Sequence, residues 1–233
     1  MNWFKSSNQV IQISHSGLVS VLSSKDQAQL SGFLYKAITT HPGWQQAAAN
    51  VSTEIKQQYI AAVNSSSVSN PAWAQWDVQK GLPQESGNYK LYFTPSDEDI
   101  EKVIGGIGGL FQYLQPIASS YQSNLDYKVP STATAYLGHN DRVVIHFSNK
   151  EAVNDIQVAV QQWASANGIS FGNRTHSLGA DDKEKVSWGQ NVSNTMSQYA
   201  LQYLESGQYN EEQVARWIET YIGNVLNQMG QAA

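Results

Sequence analysis

The chain contains no cysteine, so disulfides, thiolate metal sites and thiol nucleophiles are all excluded. Charge is scarce as well. Only 14% of the residues are Asp, Glu, Lys or Arg, and Gln, Ser and Asn supply most of the polarity. The formal net charge is -5 and no basic block occurs, which argues against a nucleic-acid or anionic-membrane partner, since both are held by clustered Lys and Arg. Any phosphate site must therefore be local. No apolar run approaches the length of a bilayer span, and MNWFKSSNQVIQISHSGLVS lacks the unbroken apolar core of a signal peptide. The expected compartment is cytoplasmic, with secretion left open.

Several familiar motifs are missing. His139 and His146 do not have the helical i,i+4 spacing of a metal pair, and no Glu-x-x-His arrangement exists. There is no Gly-x-Ser-x-Gly nucleophile elbow. The run GGIGG (Gly105 to Gly109) lacks the Lys-Ser/Thr ending of a phosphate-binding loop and does not match the dinucleotide fingerprint. Neither a metal nor a cofactor is expected.

The 233 residues are enough to bury a substantial core. Residues 1 to about 63 read as helical, with Leu30, Phe33, Leu34, Ala37 and Ile38 at spacings of three and four, a break at HPGW and a second helix from about Val51 to Val63. NSSSVSNPAW, Asn64 to Trp73, is the best candidate boundary, giving a helical region 1–70 and an α+β region 71–233, or one continuous domain. Tyr89, Leu91 and Phe93 then alternate with Lys90, Tyr92 and Thr94, the period of a half-buried strand that Pro95 ends. Ser96 has capping-box spacing to Asp99. Ile100, Val103, Ile104, Ile107, Leu110, Phe111 and Leu114 trace one apolar stripe, and close approach to a sheet is the expected reason for its glycines.

Strands at LDYKVPS and DRVVIHFS follow, then an amphipathic helix with Val153, Ile156, Val160 and Trp163 that Gly168 caps. Two more helices, about Gly189 to Leu204 and Glu211 to Met229, close the chain. The expected fold class is α+β, with a small mixed or antiparallel sheet packed by helices and a helical N-terminal part.

Three cations are each embedded in a predicted strand: Lys90, Lys128 and Arg142. Period-two geometry puts Tyr92 on the face of Lys90, and His146 on that of Arg142. Each cation alone fits protection of a sheet edge. Three together, in a chain with 14 Lys and Arg, point to a phosphate or carboxylate site.

Through KLYFT, LDYKVPS, HNDRVVIHFSNKEA and the turn Ser187-Trp188-Gly189-Gln190, the segment from Asn88 to about Leu204 resembles the HopA-type effector family, which includes lyase components of lanthipeptide and thioamitide biosynthesis. It is more distantly similar to the phosphothreonine lyases of bacterial effectors. The resemblance implies a cofactor-free β-elimination of phosphate from phosphoserine or phosphothreonine in a peptide, with a separate kinase-like enzyme as partner. It makes Lys128 the base and Lys90 and Arg142 phosphate ligands. Tyr92 stands where those lyases carry the acid histidine, so the acid is Tyr92, His139 or His146. Arg174 and His139 are further candidates for holding the phosphate, and His176 lies beside Arg174. A different class of function remains open: a non-catalytic peptide- or protein-binding adaptor whose recognition patch includes some of Trp73, Trp76, Trp163 and Trp188.

Overall fold

A computed structural model of the protein describes residues 14–40, 44–69, 71–78, 89–139, 141–170, 178–179 and 188–231. In chain order the helices and strands are α1 (His15–Ser24), α2 (Gln27–Thr39), α3 (Trp44–Asn50), α4 (Thr53–Val63), β1 (Val68–Ser69), β2 (Trp73–Asp77), β3 (Tyr89–Phe93), α5 (Ile100–Gly106) and α6 (Leu110–Tyr121). They continue with β4 (Leu125–Pro130), α7 (Ala133–Gly138), β5 (Val143–Phe147), α8 (Val153–Ala166), β6 (Leu178–Gly179), α9 (Trp188–Glu205) and α10 (Glu211–Gln231). The fold is α+β, and every strand pairing among the described residues is antiparallel. No helix among the described residues is long and apolar enough to cross a membrane.

The chain divides into two compact units, one of Met1–Pro42 with Val186–Ala233 and one of Gly43–Lys185. This differs from the expected boundary near residue 70. The physical reason lies in the cores: Tyr59 and Val63 of α4 are buried in the same core as the sheet, and the Tyr59 hydroxyl donates to the Pro130 carbonyl at 2.8 Å. The last two helices instead share a core with the first two. Leu18, Leu22, Leu30, Leu34 and Ile38 pack with Met196, Ala200, Leu204, Val214 and Ile218.

In this helical unit Ser14 caps α1 by accepting from the Gly17 N–H, and Asp26 caps α2 by accepting from the amides of Ala28 and Gln29. His15 ties α1 to α10. Its Nδ1 lies 2.8 Å from a Glu219 carboxylate oxygen and its Nε2 2.9 Å from one of Glu212. Bonds from both ring nitrogens to carboxylates require the imidazolium, because the neutral ring has one N–H only. The Glu219 and Glu212 hydrogen bonds accordingly raise the His15 pKa, and the bond to His15 lowers that of Glu212. The histidine contribution is complete below the ordinary histidine range and is lost as pH climbs through the raised folded-state value. The Glu212 contribution is lost as pH falls through its lowered value. The thermal midpoint of the wild-type protein should thus fall more steeply on the alkaline side of neutrality than that of His15→Gln, as parallel melting curves across pH will register. Coincident profiles would show that the clamp contributes nothing.

The second unit is built on a sheet of strand order β1-β2-β4-β5-β3-β6. Alternation sends Ala74, Trp76, Leu91, Phe93, Leu125, Tyr127, Val129, Val143, Ile145 and Phe147 to one face, where they form a core with residues of α4 to α8. Trp76 and Tyr127 stack there with ring centroids 4.9 Å apart. The stripe foreseen on the first helix after β3 packs on the core, with Ile104 and Phe111 only half-buried, but that helix is interrupted. A tight turn, Ile107–Gly109, separates α5 from α6. The interruption frees carbonyls that two buried side chains take up: Trp163 Nε1 donates to the Gly106 carbonyl at 2.9 Å, and the Tyr127 hydroxyl to that of Ile107 at 2.9 Å.

The close approach expected at these glycines is not to the sheet: at Gly106 it is made to Asn167 at the end of α8, and Gly105 has no such neighbour. A Cβ on Gly106 would lie 2.6 Å from Asn167 Cγ, whose amide is fixed by donation to the Trp163 carbonyl at 2.8 Å. Gly105 is exposed and has open space where a Cβ would be. Opposite signs follow for neighbouring substitutions. Gly105→Ala should stabilise by about 0.5–1 kcal/mol through helix propensity, whereas Gly106→Ala should destabilise by about 1–3 kcal/mol through overpacking, both read by denaturant unfolding. Equal effects would dismiss the close approach as the reason for Gly106.

Candidate functional site on the polar face of the sheet

The alternation that fills the core places polar side chains on the sheet's other face. The register sets Lys90 of β3 opposite His146 of β5, and His146 opposite Asp126 of β4. Lys128 lies opposite Val144 on one side and Gln75 on the other, while Tyr92 also faces Val144 and Asp77 faces Asp126. Directly opposite residues of an antiparallel pair share a face. Lys90, Tyr92, Asp126, Lys128 and His146 therefore form one patch across three adjacent strands, and all five are half-buried.

Within the patch His146 and Asp126 are joined directly, Nδ1 to Oδ1 at 2.7 Å. Lys128 Nζ sits over the Trp73 ring, 4.6 Å from its centroid, and the same ring lies 5.3 Å from that of His139. His139 in turn is 3.3 Å from the Asp141 carboxylate. Burial lowers the Lys128 pKa, against the opposing pull of Asp141 and Asp126. Burial, and then the charge of Lys128, lowers that of Lys90, with Asp126 and Asp141 opposing. Both amines are thus biased toward the neutral form, because desolvation outweighs the carboxylates.

Arg142 has a different position. It precedes β5, so strand alternation does not hold its side chain, and it is fully buried. The guanidinium donates to the carbonyls of Pro95 at 2.6 Å and His139 at 3.3 Å, pairs with Asp97 and lies with Cζ 5.0 Å from the Tyr136 ring centroid. It joins the segment after β3 to the start of β5, and its burial leaves no surface for an incoming phosphate. Arg174 and His176 lie outside the described residues. Ser96 caps the turn before α5, but its hydroxyl accepts from the Glu98 N–H rather than from Asp99 as its spacing implies, and Asp99 does not reciprocate: its carboxylate accepts from the Ser170 N–H at 2.6 Å and pairs with Lys102.

Of the tryptophans considered for a recognition patch, Trp76 and Trp163 are buried in the core, Trp73 is half-buried on the polar face, and the Trp188 side chain lies outside the described residues. The structure adds Asp126, Asp141, Asp77 and Trp73 to the surroundings of the lysines. For Asp126 the signal was present, since it shares the parity of Lys128 in the same strand. Comparison with known proteins finds no family model, no curated protein and no solved structure that matches the chain.

The placement of Arg142 carries a stability prediction. Arg142→Ala should cost about 3–5 kcal/mol, the usual penalty for breaking a buried, hydrogen-bonded ion pair, whereas Lys90→Ala should change stability by much less. Urea unfolding of the two variants compares them, and an Arg142→Ala protein as stable as Lys90→Ala would refute the structural role.

Proposed function

We propose that the protein is a lyase that eliminates phosphate from phosphoserine or phosphothreonine in a peptide, acting after a separate kinase and belonging with the HopA-type effectors and the lanthipeptide lyase components. One observation carries the reading: two lysines with lowered pKa flank a histidine–aspartate pair on one polar face of adjacent strands. Elimination needs a base for the Cα proton, a cation for the phosphate and an acid for the departing oxygen. Lys128 serves as the base, since its lowered pKa enlarges the neutral, proton-accepting fraction. Lys90, across β5 from it, holds the phosphate, and Tyr92 and His146 are the acids within the same patch.

A second reading, a non-catalytic peptide-binding adaptor, is favoured by surface rings in the helical unit. Tyr203 packs against Tyr209 and Trp217, Trp217 against Tyr221, and all four are exposed.

The protein incubated with phosphothreonine and phosphoserine peptides should yield, by mass spectrometry, products lacking the elements of phosphoric acid. A phosphatase would leave the hydroxyl residue, and an adaptor would bind the peptide unchanged. The rate should rise with pH as Lys128 loses its proton, with a midpoint below lysine's ordinary 10.5, and Lys128→Ala should reduce it at least a hundredfold, the lower end of the usual range of about 10²–10⁴. Retained elimination in that variant would refute the assignment of the base.

A further inference from the structure

The lyase reading leaves two acids for the leaving oxygen, and the geometry of β4 and β5 distinguishes them. We infer that Asp126 is a positioning residue that fixes His146 with Nδ1–H donated to its carboxylate and Nε2 directed to protonating the phosphate oxygen that leaves Cβ; this inference rests on the lyase reading. The two residues form a directly opposed cross-strand pair joined at 2.7 Å, and Lys90 faces His146 from the other side. His146 therefore lies in one row with the cation assigned to the phosphate. Tyr92 faces Val144, one step along the strands from that row.

Chemistry favours the imidazole as well. A free imidazole titrates near 6.5 and a phenol near 10, so near neutral pH the imidazolium is the better matched proton donor. An adjacent carboxylate stabilises the imidazolium and selects which nitrogen it presents.

The step balances. The Lys128 amine takes the Cα proton, the C–H electron pair becomes the Cα=Cβ bond, and the Cβ–O pair leaves on the phosphate oxygen. That oxygen receives the His146 proton, giving hydrogen phosphate and a dehydroamino acid. Asp126 on β4 and Lys90 on β3 face His146 directly, Lys128 lies two residues along β4 opposite Val144, Asp77 on β2 faces Asp126, and His139 and Asp141 lie beyond Trp73 and Lys128.

The test compares full-length wild type, Asp126→Asn and His146→Gln on a phosphothreonine peptide, measuring kcat and KM separately and, by 1H–15N NMR, which ring nitrogen carries the hydrogen of neutral His146. Wild type should show the Nδ1–H form that donates to Asp126. Asp126→Asn should lower kcat roughly tenfold to a hundredfold with KM little changed, as loss of an orienting partner does, and should mix the two ring forms. His146→Gln should lower kcat at least as far, and adding Asp126→Asn to it should cost nothing more. Folded variants with wild-type kcat, or a ring form unchanged by Asp126→Asn, would overturn the inference while leaving the lyase reading standing. Wild type that eliminates nothing from any phosphopeptide would sink the lyase reading and this inference with it.

Discussion

The register of the antiparallel sheet is the constraint on which the candidate site depends. Leu125, Tyr127 and Val129 of β4, Val143, Ile145 and Phe147 of β5, and Leu91 and Phe93 of β3 are all essentially inaccessible beneath the helices. Each contributes on the order of 1.5–3 kcal/mol by burial. A slip of one residue would turn every one of them to the opposite face. The hydrophobic layer thus fixes the pairing, and the opposite face inherits a fixed row of Asp126, His146 and Lys90 with no interaction of its own needed to align them.

Arg142 and the two lysines divide the cationic work by solvation. The buried guanidinium is engaged by Asp97 and two carbonyls, and Tyr136 lies against it, so its role is to hold the segment after β3 against the start of β5. Ammonium groups remain on the polar face, and they differ from a guanidinium in one consequential way: a lysine can lose its proton when desolvated. Asp126 and Asp141 oppose that loss at both lysines, yet the net direction is downward at each. The same carboxylates also hold the histidines of this face, through the His146–Asp126 and His139–Asp141 contacts.

Much of the fold was legible because long amphipathic segments repeat their signal. The stripe from Ile100 to Leu114, the helix around Trp163, and the alternations at Tyr89–Phe93 and Val143–Phe147 each carry several turns or pairs of evidence. β2 was missed although Ala74, Trp76 and Val78 alternate with Gln75 and Asp77, because the strand is short and directly follows a Ser- and Pro-containing loop. The division into units was not legible, since a boundary read from composition cannot detect that α9 and α10 return to the first two helices. At the site, period two correctly grouped Lys90 with Tyr92, but carried Arg142 onto the face of His146. Alternation applies within a strand, and Arg142 lies one residue before β5 begins.

The tyrosine at position 92 takes on a different meaning in this geometry. A motif read along one strand makes Lys-x-Tyr look like a site that has lost its histidine. Read across strands, a directly opposed neighbour of Lys90 on the polar face is His146, supplied by β5 and already bonded to a carboxylate supplied by β4. Cβ atoms of directly opposed residues lie about 4.5–5.5 Å apart, closer than residues two apart in one strand at roughly 6.5 Å. On the lyase reading, a proton donor supplied from the facing strand is therefore at least as well placed as one two residues along, and an in-strand motif can lose its acid while the sheet retains one.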